Sequence, residues 1–395
     1  MKRISRRIFL KTGVAGAGMA ALSPKTFSAA SGEQGKNIIY RTLGKTGLKV
    51  PVISFGVMRS DNPGLCKAAY EKGITLFDTA NGYQGGNNET MLGNLLKDYP
   101  RNSFILATKV KPDTDREGKP TAESTPENFI AAFNTSLSRL KMDYVDILYI
   151  HDISNPEFLG YKPIINTVQK LKNDGRAKFI GFSTHRNEPQ VINAAAETDI
   201  WDVILTQYNY RYAAMDEINS AIRKAAGAGI GIVAMKTLAG GGFLDRERTK
   251  PMNTSAAIKW VLSNPDVHTT IPGMTSFDHL EANEKLLTDI ILTDPEKNDL
   301  VAARSETSLY CSGCSQCVSS CQHNIPVQDL MRAYMYAYGY SNPSMAKSLL
   351  GELGISGDPC SNCNECSVNC SRGFNIKAKI ADITRVADVP SEFLA

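Results

Sequence analysis

Eight of the nine cysteines in this chain fall after residue 310, in two runs of the same form. The first is Cys311-x2-Cys314-x2-Cys317-x3-Cys321, and the second is Cys360-x2-Cys363-x2-Cys366-x3-Cys370. Three thiolates two residues apart let one loop cap three irons of a [4Fe–4S] cluster, while the fourth thiolate comes from a separate segment. In the two-cluster form of this pattern the fourth cysteine of each run serves the other cluster. The expected ligand sets are therefore Cys311, Cys314, Cys317 and Cys370, and Cys360, Cys363, Cys366 and Cys321. Tetrahedral zinc and disulfides are the competing readings. The third cysteine and the x3-spaced fourth, repeated twice, favour iron. Two departures stand out. Gln322 and Ser371 occupy the places where proline usually follows the fourth cysteine. The long gap between the runs holds a helical stretch, Val327 to Tyr338, which predicts a mainly helical module. His323 reads as a hydrogen-bond donor near a cluster, and Cys66 as buried helix packing.

A second constellation needs a scaffold to assemble it. From Val52 to about Lys285, short β-branched or apolar runs alternate with amphipathic helical windows. The predicted strands are Val52–Gly56, Thr75–Thr79, Phe104–Val110, Tyr144–His151, Lys178–Ser183, Val203–Tyr208, Gly231–Lys236 and Thr269–Pro272. Phe129, Ala132, Phe133, Ser136, Leu137 and Leu140 form one helical stripe behind a Ser124-Thr125-Pro126-Glu127 start. Ile164, Ile165, Val168 and Leu171 form another. Eight such units predict an α/β fold, a (β/α)8 barrel, which places chemistry at the C-terminal strand ends. Asp78, Lys109 and His151 lie at three of those ends, and Tyr83 follows five residues after Asp78. Tyr40 to Val50 reads as a hairpin plugging the opposite end.

These residues resemble the aldo-keto reductase family. The matching segments are Phe77-Asp-Thr-Ala-Asn-Gly-Tyr83, Ala107-Thr-Lys109, Asp146-Ile-Leu-Tyr-Ile-His151, Gly181-Phe-Ser-Thr184 and Gln207-Tyr-Asn209. The resemblance covers roughly Tyr40 to Glu284 and implies hydride transfer between NADP or NAD and a small carbonyl or alcohol substrate. Tyr83 would give its proton to the forming alkoxide, and His151 would donate to the carbonyl oxygen. Lys109, held by Asp78, would lower the tyrosine's pKa from its ordinary value of about 10. The resemblance also implies cofactor contacts at Gly56, Ser183, Thr184, Gln207, Met235, Lys236, Leu238, Gly240 and Gly273. Met235 stands where many members carry a ring-stacking tyrosine. The run from Ile271 to Ser276 lacks the usual Lys and Arg for a 2′-phosphate, so the choice of NADP over NAD stays open.

The N-terminus reads as an address. Ser5-Arg-Arg-Ile-Phe-Leu-Lys11 resembles the twin-arginine export motif, and Ser28-Ala-Ala30 offers a cleavage site. The first 30 residues hold six bases and no acid, which leaves 38 bases against 40 acids in a chain of net charge +4. The remainder is near neutral, which excludes a nucleic-acid-binding class. No apolar run is long enough to span a membrane. The expected organisation is a signal at 1–30, an aldo-keto-reductase-like barrel at 38–292 and a 4Fe-4S ferredoxin-type domain at 300–380. The expected place is the periplasm or cell envelope, and the expected partners are the export machinery and a redox protein. Three functions fit: a reductase linked to its clusters, a reductase with structural clusters, and a non-catalytic redox sensor on the same scaffold.

Overall fold

The computed structural model describes residues 37–239, 252–305, 310–311, 317, 320–370 and 373–394. The expected leader, Gly240 and Cys314 lie outside them. The described residues hold ten strands: β1 (Tyr40–Thr42), β2 (Lys49–Pro51), β3 (Phe55–Gly56), β4 (Leu76–Asp78), β5 (Ile105–Val110), β6 (Val145–Ile150), β7 (Ala177–Thr184), β8 (Val203–Gln207), β9 (Gly231–Met235) and β10 (Thr269–Thr270). Eight helices follow β3 to β10 in turn: α1 (Pro63–Glu71), α2 (Asn87–Leu96), α3 (Pro126–Leu140), α4 (Lys162–Asn173), α5 (Glu188–Ala195), α6 (Met215–Gly227), α7 (Thr254–Leu262) and α8 (Phe277–Lys285).

Strands β3 to β10 pair in parallel, each with its sequence neighbour. A parallel bridge between Ile53 and Thr270 joins the two edges. Ser54 N–H donates to the Thr270 carbonyl at 2.8 Å, and Thr270 N–H to that of Val52 at 3.1 Å. The sheet is thereby a (β/α)8 barrel, as the alternation predicts. Its strands are buried on both faces, which is why they read as continuous apolar runs. Side chains alternate faces, so Leu148 and Ile150 meet the helices while Ile147 and Tyr149 fill the barrel.

The antiparallel pair β1–β2 closes the N-terminal end. Leu43 at its turn is fully buried in the interior cluster with Leu76, Ala107, Ile147 and Val233. A side chain on Gly231 would clash with Leu43 at 2.6 Å, so glycine there admits the plug. Thr125 caps α3 by accepting from Asn128 N–H at 3.2 Å, and Pro126 occupies its first turn. The predicted stripe then buries Phe129, Phe133, Leu137 and Leu140.

After the barrel come α9 (Asp294–Ser305), α10 (Val327–Tyr334), a π-helical turn (Met335–Gly339), α11 (Pro343–Glu352) and α12 (Ile376–Thr384). The helices beyond the barrel fall into two groups by their packing. Leu300 and Ala303 of α9 pack against Met252, Ala256 and Ala257, so this helix belongs with the barrel. At the other end, Val386 and Ala387 pack on the C-terminal core and Ser344 donates to the Leu394 carbonyl, so that unit runs past 380. Among the described residues no helix is long and apolar enough to cross a membrane.

Candidate active site

The inward-facing register that places Leu76, Ala107, Ile147 and Tyr149 inside the barrel carries Asp78, Lys109 and His151 two residues further, to the mouth. The structure brings the expected four residues together. Lys109 is fully buried and donates from Nζ to Asp78 and, at 2.7 Å, to the Thr79 carbonyl. Its ammonium lies 4.9 Å from the centre of the Tyr83 ring. The rings of Tyr83 and His151 meet edge to face at 5.7 Å.

Tyr83 is set by the loop that leaves β4. Asn81 donates from Nδ2 to the Ala132 carbonyl and the Ser136 hydroxyl, both at 3.0 Å, and Arg139 donates to the Asn81 carbonyl at 2.9 Å. Buried Glu89 accepts from Thr108 at 2.6 Å and from Arg139, holding α2, α3 and β5 together behind the loop. Gln84 and Gly85 then adopt left-handed conformations, which turn the chain sharply after Tyr83. Gln84 reaches back to the Met58 carbonyl at 3.1 Å.

The protonation states suit a proton donor. Burial pushes the Asp78 carboxyl up and the Lys109 ammonium down, and each opposes the other's shift. Burial, then the charges of Asp78 and Asp152, raise the Tyr83 phenol well above its ordinary value. The expected lowering by Lys109 is therefore not what these surroundings give, because the ammonium is spent on Asp78 and Thr79. Tyr83 is held neutral, the form that donates. Burial, followed by Lys109, drives His151 down to about 3, so its imidazole is also neutral.

The expected nicotinamide residues line the adjoining strand ends. Ser183 and Thr184 finish β7, Gln207 finishes β8, and Met235 finishes β9. The Ser183 hydroxyl accepts from Asp152 N–H at 3.0 Å, and Thr184 donates to the Arg186 carbonyl at 3.1 Å. Gly56 and Gly273 face each other across the barrel seam, where a side chain on Gly56 would strike the Ile271 carbonyl at 2.6 Å. Leu238 is half-buried against the barrel core. Lys236 has left-handed backbone (φ 55°), and its ammonium makes no hydrogen bond or ion pair among the described residues. Burial and Arg332 lower it to about 7. An unpaired ammonium following Met235, which pairs in register with Gln207, suits a phosphate of a nicotinamide nucleotide.

The sequence reading missed a buried ionic network beside these residues. Asp152, left-handed at φ 63°, faces His185 at 3.1 Å and Arg186 at 3.4 Å. Arg186 also meets Asp329 of α10 at 3.3 Å, and Arg332 meets His185 at 3.2 Å. All five side chains are at most 21% exposed, which marks the network as an interface between barrel and C-terminal unit. The available signal was the charge-rich pair His185-Arg186 directly after the expected cofactor serine.

Four of the C-terminal cysteines line a common space. Cys321, Cys360, Cys363 and Cys366 line one cavity with His323 and Lys377. This is the ligand set expected for the second cluster, with Cys321 coming from the first run. Ser367 ties the runs together, donating to the Ser320 carbonyl at 2.7 Å and accepting from Gln322 N–H at 3.3 Å. Cys311, Cys317 and Cys370 belong to the same unit's apolar core. Among the described residues no three His, Cys, Asp or Glu side chains are gathered to hold a metal ion. The four thiols share one cavity and have the donor chemistry of iron–sulfur ligands, but they are not drawn together at ligand distance. Cys66, as expected, is buried packing, its thiol pushed up to about 11 by burial.

Residues 57–256 match the model of the aldo/keto reductase family. L-galactose dehydrogenase of Arabidopsis thaliana is 28% identical over 292 residues, spanning 63% of this chain and 88% of that protein. A putative voltage-gated potassium channel subunit beta of Schizosaccharomyces pombe is 32% identical over 169 residues, 40% of this chain and 48% of that one. Among solved structures, the holo form of aldo-keto reductase AKR11C1 from Bacillus halodurans superposes with a TM-score of 0.56 at 24% identity, covering 70% of this chain and all of that one. That last likeness bears on the fold alone. With the strand-end tetrad and the family match in agreement, the chain belongs to the aldo/keto reductase family.

Proposed function

We propose that this chain is an exported NAD(P)-dependent oxidoreductase that interconverts a small carbonyl compound and its alcohol, with two [4Fe–4S] clusters in its C-terminal module. The observation that carries the reading is the convergence of Tyr83, His151 and the buried Lys109–Asp78 pair at one mouth. A bound reduced nicotinamide would supply the hydride. His151, neutral, donates a hydrogen bond to the carbonyl oxygen and orients it. Tyr83, neutral, passes its proton to the same oxygen as alkoxide character develops. Lys109 then faces a forming phenolate, and its charge stabilises it. Ser183 and Gln207 would hold the carboxamide, and Lys236 the phosphates.

The thiol-lined cavity supports the cluster assignment, with Cys321 crossing to the second run. A hydride moves two electrons at once while each cluster passes one, so exchange between them would need a two-to-one-electron converter, and this mismatch gives weight to the reading in which the clusters are structural. A redox partner protein would exchange those electrons. The basic leader supports twin-arginine export to the periplasm or cell envelope, a route that moves folded, loaded protein. A nucleotide used there is retained through slow dissociation. A second reading makes the clusters structural, and it is favoured by the placement of Cys317 and Cys360 inside the module's apolar core.

The test is anaerobic purification from the cell envelope. About eight irons per chain, little zinc and near-stoichiometric NAD(P) after dialysis are expected. Tyr83→Phe should keep the nucleotide and lose carbonyl reduction at least ~10²-fold. Stoichiometric zinc without iron would remove the clusters from the reading. Undiminished turnover in Tyr83→Phe would remove the mechanism.

A further inference from the structure

Three tethers draw the C-terminal module across the barrel mouth. Arg59, just past β3, donates to the Tyr340 carbonyl at 3.0 Å and lies over the Tyr340 ring at 4.4 Å. Beyond β5, Lys111 pairs with Glu352 at 3.0 Å and Arg116 donates to the Leu353 carbonyl at 2.6 Å. The third tether, beyond β6 and β7, is the buried ionic network, and it closes on itself. Asp152 faces His185 through Oδ1 and Arg186 through Oδ2, Arg186 meets Asp329, and His185 meets Arg332. Asp329 and Arg332, one turn apart on α10, complete the ring at 3.4 Å.

The ring fixes the state of His185. A guanidinium only donates, so His185 Nδ1 accepts from Arg332 at 3.2 Å. Burial holds the His185 imidazole well below its ordinary pKa, so it is neutral and carries one ring proton. That proton is therefore on Nε2, the nitrogen that faces Asp152 Oδ1 at 3.1 Å. Asp152 in turn has left-handed backbone, a conformation that a residue other than glycine keeps where its surroundings hold it. Two successive N–H groups then close on one residue of β7. Asp152 N–H donates to the Ser183 hydroxyl oxygen at 3.0 Å, and Ile153 N–H donates to the Ser183 carbonyl at 2.8 Å. Ser183 is buried, and its hydroxyl donates to no group among the described residues. A buried donor of this kind calls for a partner, and a bound molecule is one. The Lys111 and Arg116 tethers touch no expected cofactor residue, whereas this one ends on Ser183.

We infer that Arg332 of the C-terminal module is a positioning residue for the nicotinamide: through His185 and Asp152 it fixes the Ser183 hydroxyl as a donor to the carboxamide oxygen. This rests on the nicotinamide reading of the β7 end. Without Arg332, His185 is free to take its other tautomer, whose bare Nε2 faces the Asp152 carboxylate and repels it. The carboxylate then shifts, and with it the amide that orients Ser183. Recognition of the reactive ring thus depends on a residue that the barrel does not contain.

The experiment is competition binding of NADPH against its thionicotinamide analogue, and of the NADH pair, to full-length proteins of equal iron content. Sulfur is a poor acceptor and the phosphates are the same, so the ratio of the two affinities reads the carboxamide oxygen. Ser183→Ala sets the ratio without the hydroxyl. Wild type should exceed it by about five- to tenfold, the size of one neutral hydrogen bond. Arg332→Met and, as an independent variant within the barrel, His185→Phe should each fall to the Ser183→Ala ratio. Arg332→Met added to Ser183→Ala should change the ratio no further, because the residues act as one unit. Glu352→Gln, which weakens an outer tether, should keep the wild-type ratio. A wild-type ratio in Arg332→Met or His185→Phe, with Ser183→Ala low, overturns the relay and leaves the nicotinamide reading standing. A further fall in the double variant, or an equal fall in Glu352→Gln, also overturns it, since Arg332 would then act elsewhere or through docking alone. A ratio that Ser183→Ala does not move, or wild-type protein that binds neither nucleotide, overturns the nicotinamide reading and the relay with it.

Discussion

The barrel and the C-terminal module solve the same folding problem with different materials. The barrel buries large apolar side chains in two layers, one between strands and helices and one inside the sheet. Three of its four proposed catalytic residues, Asp78, Lys109 and His151, are the next inward-facing positions of strands that are already fixed. The module has a far smaller core, and cysteines are part of it: Cys317 and Cys360 are buried, with Cys311, Cys321 and Cys370 packed alongside. Units of this size rarely hold together on apolar burial alone and are commonly stapled by metals or disulfides. The barrel positions its chemistry as a by-product of folding, whereas on the proposed cluster assignment the module's fold would depend on what its thiols hold.

The sharpest way to break that contrast is to remove one thiol. Cys360→Ser should cut the iron content by about half on the proposed ligand sets. It should also expose the module to limited proteolysis, while residues 37–305 stay resistant. A module that keeps its protection without iron would erase the distinction. Inside the barrel the comparable injury is electrostatic. Lys109→Met leaves Asp78 as an unpaired buried carboxylate, expected to cost ~3–5 kcal/mol of barrel stability in denaturant unfolding. Asp78→Asn together with Lys109→Met should recover most of that loss, and iron content should be unaffected throughout.

A smaller effect concerns pH. The Lys236 ammonium is held near 7 by burial and by Arg332 and Arg186, against the opposing pull of Asp152 and Glu188. It is charged below that pH and neutral above it. Nucleotide affinity should accordingly weaken as pH rises from 6 to 8, by roughly tenfold at most for one charge-assisted contact. Lys236→Met should give a flat profile at the weaker level. A wild-type profile that is itself flat separates Lys236 from the phosphates. The mildest prediction tests where barrel stability resides. Thr125→Ala removes the N-cap of α3 and should cost ~1 kcal/mol, with no change in cluster spectrum or iron count.

The two regions were unequally legible in the sequence. Barrel strands are short apolar runs with period-two interiors, so the register of Ile147, Tyr149 and His151 announces which side chain reaches the mouth. The predicted strands agree with the observed ones to within a few residues; Val52–Gly56 overran most, because residues 52–54 join the closing seam through isolated contacts rather than a ladder. The hairpin plug was likewise readable, since a turn with Gly44 and Gly47 needs little context. The Asp152–His185–Arg186–Asp329–Arg332 network was not. Its barrel and module halves lie more than 140 residues apart, and no local period links them. The pairing of the module's tyrosines was hidden for a related reason. Tyr334, Tyr336, Tyr338 and Tyr340 look like an ordinary helical continuation until the π turn sorts them into one tilted and one stacked pair. The phenol's protonation state was also out of reach, because it depends on where the Lys109 ammonium is spent.

The Arg59–Tyr340 tether spans 281 residues of chain. Synthesis proceeds from the N-terminus at roughly 5–20 residues per second, so Arg59 leaves the ribosome on the order of tens of seconds before its partner exists. For that interval the nascent barrel has its strands and its tetrad but an open mouth. Whatever enters the barrel has its widest passage then, and the last helical segments to be made narrow it. The order of residues along the chain thus sets an order of assembly, with the pocket's roof arriving last.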